Sequence, residues 1–133
     1  MTRINCIPPS ELCGKHLVAE YRELPRVFAL AVKAHDRGQL YGPSSYTLGK
    51  GHVRFFYTRL AWLAERQGQL IAEMHRRGYS PKYAAPSLDV VPAMLCAGWT
   101  PTDDAMAINR ARISERLAGA AAVMEDADAH SIV

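Results

Sequence analysis

The sequence of 133 residues has no long hydrophobic run, no repeat and no low-complexity segment. Its longest apolar stretches, such as VFALAV, are far shorter than the roughly 20 residues that a transmembrane helix needs. No apolar segment follows Arg3, so we expect no signal peptide. The chain length fits one domain spanning residues 1–133, which we expect to be cytoplasmic.

Cysteine is scarce as well. Cys6, Cys13 and Cys96 are odd in number, and no C-x-x-C pair occurs. A disulfide framework or a cysteine-rich metal site normally needs paired and closely spaced cysteines. We therefore expect free or buried thiols.

The sequence also lacks the polar–apolar alternation of a half-buried strand. Its apolar residues recur instead at three- and four-residue spacing, which is typical of amphipathic helices. The predicted fold is all-α with three main helices, which run from about Glu11 to His35, from about Gly51 to Arg77, and from about Thr100 onward. The stretch YSPKYAAPSLDVVPAML contains three prolines and predicts an irregular connection with a short helical turn near Leu88.

Capping and breaking residues set the expected helix ends. Ser10 is expected to cap the first helix, and Pro25 inside it predicts a possible kink. Gly78 is suited to end the second helix. Thr100 as cap and Pro101 at the first helical position are expected to start the third. The alanine-rich end either extends this helix or frays.

Positive charge is concentrated in the first part of the chain. Residues 1–82 carry 13 Lys/Arg against 6 Asp/Glu, whereas residues 83–133 carry 3 against 7. The formal net charge is +3. A phosphate backbone as partner explains this distribution. Ordinary solvated helix faces explain it equally well on charge alone.

The stretch HLVAEYRELPRVF gathers ionisable residues at helical spacing. His16, Glu20 and Glu23 share one predicted face, and Arg22 and Arg26 flank Glu23. A carboxylate between guanidinium groups stays ionised. Spacing alone favours a salt-bridged surface helix. A metal site is a further reading, but the second Glu-x-x-His segment of di-iron bundles is missing, so we expect no metal.

Two other stretches combine cationic side chains with helix starts or faces. In GKGHVRFFYTRL, backbone amides near Lys50, His52 and Arg54 are positioned to receive a phosphate. A plain loop-to-helix turn is the alternative. In NRARISER, Arg112 lies on the third predicted helix, where a surface ion pair with Glu115 is the alternative.

Six motifs, taken in order, resemble those of pyrimidine-dimer DNA glycosylases: MTRIN, SEL, HLVAEYRELPRVF, LGKGHVRFFYTRL, RGY and INRARISERL. The resemblance covers residues 1–117, and residues 118–133 diverge. It implies a single compact domain of three helices with the N-terminal segment passing between them. It also implies a monomer that acts at the nucleoid on double-stranded DNA containing UV photoproducts or abasic sites.

The resemblance further implies an activity without metal or organic cofactor. The 5′ base of a cyclobutane pyrimidine dimer is excised through an imine with the N-terminal amine, and the strand is then cleaved by β-elimination. The implied nucleophile is the α-amine of Thr2 after removal of Met1, and Glu23 is the implied essential carboxylate. A protein that retains Met1 is expected to be impaired in base excision and strand cleavage. The implied DNA contacts are Arg3, His16, Arg22, Arg26 and Arg112, with Lys50 and His52 from the GKGHVR loop.

The last residues depart from the family pattern. Phage members end in a basic, aromatic segment that helps to hold DNA. This chain ends in an acidic segment without aromatic residues, so DNA affinity and lesion preference stay open. Tyr83 or Trp99 are candidates to compensate, and both are equally suited to the core. Two alternative functions also stay open: a non-catalytic DNA-binding module, and a glycosylase for another lesion such as a ring-opened purine or a bare abasic site.

Overall fold

The computed structural model describes the backbone of residues 3–132 and the side chains of residues 3–119. Its helices are α1 (Gly14–Asp36), α2 (His52–Phe55), α3 (Leu60–Arg76) and α4 (Asp103–Ile132). Short 3-10 turns cover Pro9–Glu11, Leu88–Val90 and Ala93–Leu95. Within residues 3–132 no strand forms, and only an isolated bridge joins Arg59 to Cys96. The all-α prediction is confirmed, and three of the helices are long.

Helix α1 continues without interruption through Pro25 but begins later than predicted. Ser10 lies in a 3-10 turn and does not cap the helix, whose N-cap is Cys13. The guanidinium of Arg77 explains the delay, since its NH2 donates to the carbonyls of Pro9 (3.3 Å) and Leu12 (2.7 Å). These carbonyls are therefore held by the end of α3 and are not free to start α1.

The prediction of one helix from Gly51 to Arg77 is wrong. Helix α2 is a single turn, and α3 begins only at Leu60. The three consecutive aromatic side chains of 55–57 are all buried. On a straight helix they would point in directions about 100° apart. The turn between α2 and α3 lets all three enter the core.

Helices α1 and α3 pack antiparallel and form the centre of the domain. Arg77 at the end of α3 binds Leu12 just before α1, whereas Arg66 near the middle of α3 binds Glu20 of α1. The apolar side chains between them include Leu17, Leu24, Val27, Phe28, Leu63, Leu70 and Met74, all buried. The amphipathic pattern of both helices thus supplies one shared core.

Helix α4 begins at Asp103, not at the predicted Thr100. The hydroxyl of Thr102 accepts from the backbone nitrogen of Ala105 at 3.0 Å and caps the helix. Trp99 explains the shift, because its ring packs among the core aromatics and leaves the next residues extended. The alanine-rich segment extends α4 to Ile132. In the part of the chain that the structure describes, no helix has the length and apolar character to cross a membrane.

Candidate functional site

The N-terminal segment 3–7 lies in the domain, where side chains from distant parts of the chain bind its backbone. The backbone nitrogen of Ile4 donates to Nε2 of His52 at 2.7 Å, and the hydroxyl of Tyr46 donates to the Ile4 carbonyl at 2.9 Å. Nε of Arg3 donates to the carbonyl of Leu48 at 2.8 Å. Thr2, the predicted nucleophile, lies outside the described residues.

Deeper in the domain, the same segment is bound by all three long helices. Oδ1 of Asn109 on α4 accepts from the backbone nitrogens of Cys6 (2.8 Å) and Ile7 (3.2 Å). NH1 of Arg66 on α3 donates to the Ile7 carbonyl. Nδ2 of Asn5 donates to Oε1 of Glu20 on α1 at 2.8 Å.

The N-terminal segment contacts α1 one helical turn before Glu23. Nδ2 of Asn5 donates to Oε1 of Glu20, and Glu23 follows three residues later on the same side of the helix. Arg3 and Leu30 line one cleft of about 480 Å³.

Glu20 and Glu23 have opposite surroundings although they are three residues apart. The Glu23 side chain is 36% exposed, and its Oε1 lies 3.5 Å from NH1 of the 73% exposed Arg26. Glu20 is fully buried, and its two oxygens accept from Arg66 at 2.7 and 3.0 Å. The expectation that Glu20 joins His16 and Glu23 on a surface face is wrong. Of the two carboxylates, only Glu23 is open to a substrate.

A wide groove of about 1050 Å³ lies between α1, α3 and the loop after α3. Its lining includes Tyr21, Arg22, Pro25, Arg26, Met74, Tyr79, Lys82 and Tyr83. The rings of Tyr21 and Tyr83 stack with centroids 5.7 Å apart, and Tyr83 is 59% exposed. The Tyr21 hydroxyl accepts from the backbone nitrogen of Tyr83 at 2.6 Å and so anchors the loop. The groove combines flat apolar walls with cations.

The predicted contacts His16 and Arg112 lie on α1 and α4. Among the described residues, the buried Nδ1 of His16 and Nε of Arg112 have no hydrogen-bond partner. Burial and the nearby Lys15 and Arg116 cations lower the pKa of His16. Buried polar nitrogens normally have a partner. Contact of His16 and Arg112 with DNA stays a prediction. NH1 of Arg112 also lies 3.9 Å from Glu115, the alternative expected from the sequence.

The GKGHVR loop differs from the expected phosphate-binding helix start. Gly51 adopts a left-handed φ of 89°, and the backbone nitrogen of His52 is already bonded to the Gly49 carbonyl at 3.1 Å. Arg54 is held within the protein, where its guanidinium lies 4.5 Å from the centre of the Tyr41 ring. Lys50 is exposed at the cleft. The loop thus presents the cationic side chain of Lys50, and its His52 amide is not free to bind a phosphate.

Two buried groups, the imidazole of His52 and the thiol of Cys6, are held in their neutral forms. Burial is the main cause that lowers the pKa of His52 to about 4, and the Arg3 cation lowers it further. Burial raises the pKa of the Cys6 thiol to about 11. A neutral imidazole is required at His52, since its Nε2 accepts from Ile4 while Nδ1 bonds to the Thr47 carbonyl at 2.6 Å. Its direct contact with DNA stays a prediction.

The described residues combine a helical domain, a bound N-terminal segment and a groove lined by cationic and aromatic side chains. A family model for pyrimidine dimer DNA glycosylase matches residues 1–87. The match covers more than half of the 133 residues. The chain belongs to the pyrimidine dimer DNA glycosylase family.

The sequence did not single out Asn5 within the N-terminal segment, nor three residues that bind this segment, namely Tyr46, Arg66 and Asn109. Asn5 and Asn109 stand inside the motifs MTRIN and INRARISERL, so the motifs contained them without indicating a role. Arg66 is a buried cation in the middle of α3, next to apolar neighbours. An arginine on the apolar face of a predicted helix is the one signal that could have indicated a buried ion pair.

Proposed function

We propose that this protein is a bifunctional DNA repair enzyme that acts as a monomer. It excises the 5′ base of a UV-induced cyclobutane pyrimidine dimer and then cleaves the strand at the abasic site by β-elimination. Family membership supports the glycosylase role. The observation that supports the finer proposal is the contact of the N-terminal segment with α1 at Glu20, one turn before the accessible carboxylate of Glu23.

The nucleophile is the α-amine of Thr2 after removal of Met1. Its nitrogen lone pair attacks C1′ of the sugar, and the glycosidic bond breaks with its electron pair on the base, which takes up a proton. The amine loses a proton, and the C1′–O4′ bond of the sugar ring then breaks as the nitrogen lone pair forms the C1′=N bond and O4′ takes up a proton. The resulting iminium makes the C2′ proton acidic. Loss of that proton expels the 3′ phosphate oxygen, and water then hydrolyses the imine to restore the amine.

Cations near the terminus keep the amine nucleophilic. An α-amine has an ordinary pKa of about 7.7–8.0. Arg3, Arg22 and Arg26 lower it by like-charge repulsion, so that more of the amine is neutral at physiological pH. Glu23 stabilises the positive charge that develops on the sugar and imine, and it assists proton transfer. No metal or organic cofactor takes part.

The cationic side chains hold the DNA, and the groove receives a base extruded from the duplex. Arg3 and Lys50 line the cleft, and Arg22 and Arg26 line the groove. Tyr83 offers an exposed ring on which a base can stack. Extrusion exposes C1′ and requires less deformation energy at a dimer, where pairing is weakened.

Nicking of supercoiled plasmid tests the proposal. Protein whose N-terminus has been checked by mass is incubated with UV-irradiated and unirradiated plasmid. We expect nicks that increase with UV dose and few in unirradiated DNA. Salt-dependent binding without nicking would contradict the proposal and favour a non-catalytic DNA-binding module. Defined duplexes with a dimer, a ring-opened purine or an abasic site then identify the preferred lesion.

A further inference from the structure

Hydrogen bonds form a closed ring that starts and ends on Ile7. Its backbone nitrogen donates to Asn109 (3.2 Å), whose Nδ2 donates to Oδ1 of Asn5 (2.7 Å). Asn5 donates to Glu20 (2.8 Å), and Glu20 accepts from Arg66 (2.7 and 3.0 Å). Arg66 closes the ring by donating to the Ile7 carbonyl. We call these five residues the Ile7 ring.

The ring is buried: its four polar side chains are at most 7% exposed. Removing two charges and two amides from water costs free energy, and a buried ion pair is often no more stabilising than well-packed apolar residues. Such networks are best attested as devices that fix one register among several. The Ile7 ring joins three helices to one extended segment, which is the arrangement that a register device requires.

The position of the ring relative to Glu23 indicates why the register of the N-terminal segment matters. Glu20 belongs to the ring and precedes Glu23 by one turn of the same helix. Asn5 also belongs to the ring, and it lies two residues after Arg3, which binds the carbonyl of Leu48. A shift of the segment by one residue along α1 would move the terminus by roughly 3.3 Å relative to Glu23.

We propose that the Ile7 ring is a positioning device that sets the distance between the N-terminal amine and the Glu23 carboxylate. This inference rests on the proposed function, because it assumes that the amine and Glu23 act together. Asn5, Glu20, Arg66 and Asn109 are positioning residues that touch no substrate. Removal of the ring lowers the rate of the chemical step far more than it lowers DNA affinity, since Arg22, Arg26 and Lys50 lie outside the segment and stay in place.

Asn5→Leu tests the device, because leucine is close to asparagine in length but makes neither hydrogen bond. We expect the single-turnover rate at saturating irradiated DNA to fall on the order of 10²-fold, the effect of a misplacement of about 1 Å. The Kd for DNA should change far less than the rate, because three of the four DNA-binding cations lie outside the segment. The acidic limb of the pH–rate profile should move toward the ordinary α-amine pKa of about 7.7–8.0.

The matched control is the double variant Glu11→Gln with Arg110→Gln. It removes a 2.8 Å ion pair that also links the N-terminal region to α4, next to Asn109 but exposed and outside the ring. We expect its rate and pH profile to equal those of the wild type. A folded Asn5→Leu variant with the wild-type rate and profile would overturn the proposal.

If Asn5→Leu fails to fold, the double variant Glu20→Met with Arg66→Met carries the test, with the same expected fall in rate. It removes both charges together and leaves no unpaired ion. If the wild type does not cut irradiated DNA, the proposed function fails, and the ring is then judged by amide hydrogen exchange. Amide exchange at Cys6 and Ile7 must be faster in the ring variant than in the control. Equal exchange would show that the Ile7 ring does not hold the segment, whatever the function of the protein.

Discussion

Nε2 of His52 accepts a 2.7 Å hydrogen bond from the backbone nitrogen of Ile4, 48 residues earlier in the chain. Nδ1 of the same ring bonds to the carbonyl of Thr47 at 2.6 Å. Only the neutral ring with its proton on Nδ1 satisfies both contacts. The histidine that the sequence suggested as a phosphate contact therefore holds the N-terminal segment, and its protonation state decides whether it can.

The first prediction concerns the pH dependence of stability. The pKa of His52 is 6.5 when exposed and about 4 in the folded protein. Below pH 6.5 the unfolded state binds the proton more readily, so the free energy of unfolding falls as the pH drops from 6.5 toward 4. The decrease is about 3 kcal/mol, at 1.36 kcal/mol per pKa unit. Above pH 6.5 this contribution does not change.

Urea denaturation of the wild type and of His52→Gln at several pH values measures this effect. The variant should lose less stability than the wild type between pH 6.5 and 4. Arg110 and Arg76 lower the pKa values of Glu11 and Glu73. Protonation of these two carboxylates at more acidic pH reduces the stability of both proteins alike. Parallel curves for the two proteins would contradict the assignment of His52 as a buried neutral acceptor.

The second prediction separates chemistry from binding at Glu23. Glu23→Gln keeps the shape of the side chain and removes its charge. We expect base excision and strand cleavage to fall together, by on the order of 10²–10⁴-fold. DNA affinity should survive, because a carboxylate does not attract phosphates. Single-turnover kinetics and a binding titration on one dimer-containing duplex measure both. A decrease in affinity as large as the decrease in rate would argue against a catalytic carboxylate.

The third prediction concerns the cations of the groove. Arg22→Ala and Arg26→Ala should each weaken binding to damaged and undamaged DNA alike. The slope of log K against log salt should become shallower by about 0.9 for each phosphate that the variant no longer neutralises. Arg37→Ala is the matched control, since Arg37 is exposed but lines neither groove nor cleft. An unchanged slope in both groove variants would exclude these side chains as phosphate ligands.

Sequence periodicity predicted the helical class because each long helix of the core carries its own apolar face. It could not predict the break between α2 and α3. That break depends on three consecutive aromatic side chains entering one core and on the bridge from Arg59 to Cys96. Local spacing contains no information about a partner so far along the chain.

Local spacing also could not distinguish the residues of the candidate site. Glu20 and Glu23 are the same residue type on one predicted face, and spacing treats them alike. Their different roles depend on Arg66, which lies 46 residues from Glu20 and buries it in an ion pair. Asn109 likewise acts on a segment 102 and 103 residues away. Motif resemblance predicted a role for Glu23, and the structure adds the residues that bind the N-terminal segment near the preceding turn of α1.

Borohydride trapping tests the central claim most directly. Protein of verified N-terminal mass is mixed with a dimer-containing duplex, reduced with borohydride, digested and mapped by mass spectrometry. We predict a covalent adduct on the α-amine of Thr2, absent from protein that retains Met1 or carries a blocked terminus. An adduct on a lysine such as Lys50, or no adduct with active, correctly trimmed protein, would contradict the N-terminal amine as nucleophile.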